Sequence, residues 1–168
     1  MDCGANVGEL GLDVRNKANY IAFEPGPQEF KALKQNFPFY QSYNFGLWNK
    51  NRKIAFYDAF RGADSSFIKP NKDAKRIFIQ ARRLDSFINF KIKILKIEGE
   101  GAEPEIIYGC KEILNNIHYI SADIGPERGF AQENTIAPVV NFLLKNNFVV
   151  VDKSLKRDIY LFRNLRYK

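Results

Sequence analysis

The chain has 168 residues, 45% of them apolar and 27% charged, with a formal net charge of +7. That length and balance suit one domain with a real hydrophobic core and exclude a disordered or low-complexity chain. No apolar run approaches the roughly 20 residues of a membrane-spanning helix.

The start, Met1-Asp2-Cys3-Gly4, has no basic segment followed by an apolar one, so a cytoplasmic location is expected. Two cysteines, Cys3 and Cys110, make no disulfide framework and are expected to be reduced. With His118 as the one histidine, a His-rich metal cluster or a Ser-His-Asp triad has no material, and no metal is expected. The basic residues are spread over 69–76, 82–83, 153–157 and 163–168. They read as solvated surface that could also draw in an anionic substrate such as a nucleotide sugar.

Strand-like apolar runs alternate with helix-like segments along residues 1–168, the pattern of a single α/β domain around a mainly parallel sheet. Residues 1–3 are a strand stub, so the first strand is clipped, and a helix follows over 7–14. A strand at 20–23 ends in the turn Glu24-Pro25-Gly26, and 27–36 is a helix with Phe30 and Leu33 on its apolar face. Strands are expected at 41–47 and 53–57 with a turn at 49–51, then a polar loop over 62–75 and a strand at 77–81. The run 92–98, with Ile or Leu at four of its seven positions, is read as a strand buried on both faces. Pro104 opens a helix reaching about Leu114, a strand covers 118–124, and a helix covers 135–146. Strands at 148–151 and 159–162 then close the chain as an antiparallel hairpin.

Three motifs carry chemistry. In Asp2-Cys3-Gly4-Ala5-Asn6-Val7-Gly8 a strand ends, glycines turn the chain and a helix begins. Gly4 and Gly8 let backbone approach a ligand, and Asn6 adds a short polar side chain. A dinucleotide fingerprint would need a third glycine where Glu9 stands, and a negative charge there opposes a pyrophosphate. About sixteen residues past Gly8, a strand ends at Glu24, where nucleotide-binding α/β folds place a carboxylate on the ribose hydroxyls. The third motif runs from Leu95 to Glu103, an apolar strand ending in Lys96, Glu98, Glu100 and Glu103 between glycines. Ligands in open α/β sheets bind beyond such strand ends, which puts Glu98 and Glu100 at the mouth of a site. Lys96 shares a side with Glu98 and suits an ion pair with a nearby carboxylate. Glu103 reads as a helix-dipole acid.

These motifs, with Asn44-x-Gly46-Leu47, Asn49, Arg83-Leu84-Asp85 and residues 121–129, resemble the FkbM family of methyltransferases in order and spacing. The resemblance implies a class I, Rossmann-like methyltransferase fold with helices on both faces of the sheet. It also implies S-adenosylmethionine as methyl donor and a hydroxyl of a sugar, glycan or similar small molecule as acceptor. Glu98 stands where the family's usual motif has Asp.

On this reading Asp2, Gly4, Ala5, Asn6, Gly8 and Glu24 hold the donor. Glu98, Glu100, Asp123 and Lys96 serve the acceptor side, with a carboxylate taking the acceptor's proton. Ser65 and Ser66 are candidates for contact with either substrate, whereas His118 lies at the wrong end of its strand. Two alternatives are a non-catalytic donor-binding remnant and a nicotinamide-dependent oxidoreductase of related fold. No aromatic-basic segment reads as a nucleic-acid contact.

Overall fold

The structure, a computed structural model, describes residues 1–15, 17–59 and 65–167. The main sheet has seven strands: β1 (Asp2–Cys3), β2 (Ile21–Phe23), β3 (Gln41–Tyr43), β7 (Ile92–Ile97), β8 (Ile117–Asp123), β9 (Phe148–Lys153) and β10 (Ile159–Asn164). They lie in the order β3-β2-β1-β7-β8-β10-β9. Only β10 runs against its neighbours, pairing antiparallel with both β8 and β9. The expected mainly parallel α/β sheet with a C-terminal antiparallel hairpin is therefore present.

Strand alternation builds the core. Cys3, Phe23, Ile97 and Ala122 are in register and share one face; Asp2, Ala22, Lys96 and Ser121 share the other. Ala22 packs with Leu10 and Val14 of α1 (Glu9–Val14) and Phe30 and Leu33 of α2 (Pro27–Asn36). Phe23 and Ile97 belong to the larger cluster, which takes Ile106 and Ile107 of α3 (Glu103–Tyr108) and Val139 and Leu143 of α4 (Ile136–Lys145). Helices thus flank both faces.

A second sheet of three strands lies in the chain between β3 and β7: β4 (Gly46–Leu47), β5 (Arg52–Asp58) and β6 (Lys75–Arg82), in the order β4-β6-β5. The strand expected over 41–47 is therefore two short strands in different sheets. The chain turns between them at Asn44, whose side-chain amide donates to the Glu24 carbonyl at 2.9 Å and the Pro25 carbonyl at 3.2 Å. The helix expected to reach Leu114 stops at Tyr108 and continues as a 3₁₀ turn over Lys111–Asn116. At the break, a Cβ on Gly109 would lie 2.0 Å from the Trp48 carbonyl oxygen, so the second sheet abuts the helix end there. The first helix begins at Glu9 rather than at Val7, because Gly8 holds a left-handed φ of 96°.

Candidate functional site

Adjacent strands set the site. Cys3 is level with Phe23 on one side and Ile97 on the other, so Gly4, Glu24 and Glu98 leave three neighbouring strand tips together. A cavity of about 480 Å³ opens over these tips. Gly4, Asn6, Glu24, Glu98 and Glu100 line it, with Ser65, Ser66 and an apolar wall including Phe23, Leu47 and Phe67. The space suits a nucleoside-sized ligand. Residues 62–64 of the expected polar loop lie outside the described residues.

The two glycines of the first motif work differently from the expectation. Gly4 has φ of 73°, and a Cβ there would sit 1.9 Å from the Glu98 carbonyl oxygen. Its glycine is demanded by the neighbouring strand as much as by any ligand. Gly8 turns from the cavity, where a Cβ would strike Phe37 and Leu33 at 2.7 and 2.8 Å. Ala5 is buried in the α1/α2 cluster and does not line the cavity.

Glu24 is buried, and its two oxygens accept the backbone N–H of Asn6 and of Gly26, each at 2.7 Å. Burial raises its carboxyl; those N–H groups pull it down and Glu29 and Asp2 push it up, leaving it at about 7. Each oxygen accepts one bond from the described residues, which leaves each with further acceptor capacity, and Glu24 lines the cavity.

Beside Glu24's strand a charged chain crosses beneath the cavity. Asp2 accepts the Tyr20 hydroxyl at 2.5 Å and ion-pairs with Lys96 at 3.1 Å. Lys96 also pairs with Glu98 at 2.8 Å and donates to the Gly4 carbonyl at 2.9 Å. Burial opposes the Lys96 charge, but Asp2 and Glu98 outweigh it and raise its pKa. On Glu98 burial pulls upward, and hydrogen bonds and charge from Lys96 and Arg157 win, holding the carboxyl below its usual range. Lys96, Asp2 and Asp123 support this wall from behind and do not themselves line the cavity.

Arg157 and Glu127 complete the site, and neither was singled out from the sequence. Arg157 sits in the turn between β9 and β10, donates to Glu98 at 3.0 Å and ion-pairs with Asp123. It had been read as solvated surface; the signal was topological, since β10 beside β8 carries that turn to the tip of β8, with the Ile124 N–H on the Asp158 carbonyl. Glu127 lines the cavity just past β8 and stands 3.9 Å from Arg157.

Glu103 ties the loop rather than merely facing a helix dipole: it accepts the N–H of Gly99 and Gly101 and the Thr135 hydroxyl, all within 3.0 Å. Ser66 donates to the carbonyls of Gly99 and Glu100. His118 lies at the far end of β8, stacked on Tyr167. Among the described residues no group of His, Cys, Asp or Glu could hold a metal ion, and no helix is long and apolar enough to cross a membrane.

A seven-stranded, mainly parallel sheet with a cavity over its strand tips and one reversed strand is a methyltransferase-like α/β fold. The chain matches the Methyltransferase FkbM domain over residues 2–150 and belongs to that family. It is similar in structure to the crystal structure of Methyltransferase FkbM from Methylobacillus flagellatus KT, with a TM-score of 0.66 and 16% identity. The likeness covers 96% of this chain and 42% of that one, so this chain spans less than half its length. No curated protein matches the chain.

Proposed function

We propose that the chain is an S-adenosylmethionine-dependent methyltransferase that acts on a hydroxyl of a small molecule or glycan. The observation that carries this reading is the convergence of Gly4, Glu24 and Glu98 on one cavity in a chain of the FkbM family. The donor fits the residues present. Glu24, buried with lone pairs left over, is a ready acceptor for two ribose hydroxyls. Phe23, Leu47 and Phe67 would supply the apolar wall of a purine site, and Gly4 and Asn6 the polar turn beside it.

The bound donor would supply an electrophilic methyl group. The protein's own tasks are then to hold the acceptor in line, exclude water and take a proton from the acceptor oxygen. The carboxylates at the cavity mouth, Glu98 and Glu100 with Asp123 behind, serve that acceptor side, and Lys96 fixes Glu98 in its ionised form.

Calorimetry with S-adenosylmethionine and with a nicotinamide dinucleotide tests the reading. The wild type should bind the first, and Glu24→Ala should bind it at least about tenfold more weakly, since hydrogen bonds to a charged group are worth about 1.5–3 kcal/mol. Binding of the dinucleotide without the sulfonium donor overturns it. Labelled-donor screening against acceptor sugars then identifies the substrate.

A further inference from the structure

We propose that Glu127 is the carboxylate that takes the acceptor's proton, with Arg157 as the positioning residue that occupies its rivals. The inference rests on the methyltransferase reading above. The acidic groups at the strand tips are largely committed. Asp2 is held by Tyr20 and Lys96, Glu98 by Lys96 and Arg157, and Glu103 by two backbone N–H groups and Thr135. Asp123 is buried, ion-paired with Arg157 and outside the cavity lining. Glu127 shares the cavity lining and partial exposure of Glu98 and has a long ion pair to Arg157, but no hydrogen bond among the described residues holds its carboxylate. It lines the cavity, its side chain is 30% exposed, and Arg157 at 3.9 Å is too far for a hydrogen bond.

The residue is also well fixed. Its N–H donates to the Gly125 carbonyl at 3.0 Å. Its neighbour Arg128 clamps the segment to α3 through Glu105, at 2.8 and 2.9 Å, and through the Gly101 carbonyl at 2.5 Å. Gly101 permits that approach, because a Cβ there would lie 2.5 Å from the Arg128 Cα.

The electrostatics agree. Among the described residues, the charged groups that act on Glu127 are Asp123 at the end of β8, Glu103 on α3, Glu98 past β7 and Arg157 from the hairpin turn. Burial, Asp123, Glu103 and Glu98 raise the carboxyl and Arg157 lowers it, leaving it at about 7. A base of that strength is half ionised at neutral pH and suits proton removal from an alcohol. In the step, the acceptor oxygen forms a bond to the methyl carbon as the carbon–sulfur bond breaks. The electron pair of that bond stays on sulfur, and the acceptor's proton passes to Glu127 and then to water.

The test needs no acceptor. Glutamate side-chain carboxyls labelled with ¹³C are titrated by NMR in the free protein, with S-adenosylmethionine and with S-adenosylhomocysteine. The Glu127 signal is assigned by its loss in Glu127→Gln, or in Glu127→Asp if the glutamine variant does not fold. The two ligands differ by one positive charge at the reacting centre. A carboxylate within reach of that centre should titrate lower with the sulfonium than with the thioether, by about one pH unit or more. Arg157→Met should raise the Glu127 midpoint in the free protein. Equal midpoints with the two ligands, or a larger donor-specific shift at Glu100, overturn the inference while leaving donor binding intact. If neither ligand moves any cavity resonance, the methyltransferase reading falls and takes this inference with it.

Discussion

At the scale of single residues, Glu24 shows how burial and hydrogen bonding compete. Desolvation lifts its carboxyl from 4.5 to about 7, although two backbone N–H groups oppose the rise. The sign of the pH effect follows. A raised folded-state pKa means that the folded chain binds the extra proton between about 4.5 and 7, so the Glu24 contribution to stability falls as pH rises through that window. Ribose hydroxyls donate to the ionised carboxylate and favour it. Donor affinity should therefore rise as pH goes from about 6 to about 8, most steeply near 7, and calorimetry across that range measures it. Glu24→Gln should bind weakly with the Glu24-dependent rise removed. A wild-type affinity that is flat or falls through neutral pH contradicts the assignment of Glu24 to the donor.

Among the elements, the junction of α3 with the second sheet is set by one missing side chain. Gly109→Ala puts a methyl group 2.0 Å from the Trp48 carbonyl oxygen, backbone that cannot swing aside. Overpacking of this kind costs about 1–3 kcal/mol, read as a lower denaturant midpoint. Gly125→Ala is the control: its nearest neighbour is 3.6 Å away, and the midpoint should hardly move. An unchanged midpoint in Gly109→Ala would mean that the sheet is not seated on that helix end. The same junction explains what the sequence hid. Parallel strands announced themselves through apolar runs such as 92–97, and the closing hairpin through its spacing. The split at Asn44 depends on side-chain bonds to the Glu24 and Pro25 carbonyls, which belong to a different strand tip and leave no periodicity. Gly4, Asn6, Glu24, Glu98 and Glu100 were legible because they follow three strand ends that the sequence marks with glycines, a proline or an apolar run. Arg157 reaches the cavity only through the placement of β10 beside β8, a pairing made by residues distant in sequence, and Glu127 lies in the irregular segment past β8, where no periodicity marks it.

For the whole molecule, charge is distributed against its total. The chain carries +7, yet among the described residues the cavity is lined by Glu9, Glu24, Glu29, Glu98, Glu100 and Glu127 with Arg157 as the one basic side chain. Apart from Arg157, the exposed lysines and arginines of the described residues lie outside the cavity lining. A cavity of this sign attracts the sulfonium donor, whose two positive groups outnumber its carboxylate, and repels a pyrophosphate. Salt separates the two fields. Raising NaCl from about 0.01 to about 1 M shortens the screening length from roughly 30 to roughly 3 Å. S-adenosylmethionine should then bind several-fold more weakly, and the uncharged-sulfur product analogue should lose less. Glu98→Gln should shrink that difference, because it removes one of the cavity's ionised carboxylates. If the donor bound more tightly at high salt, the basic exterior and not the acidic cavity would govern approach, and the ligand would have to be sought among anions.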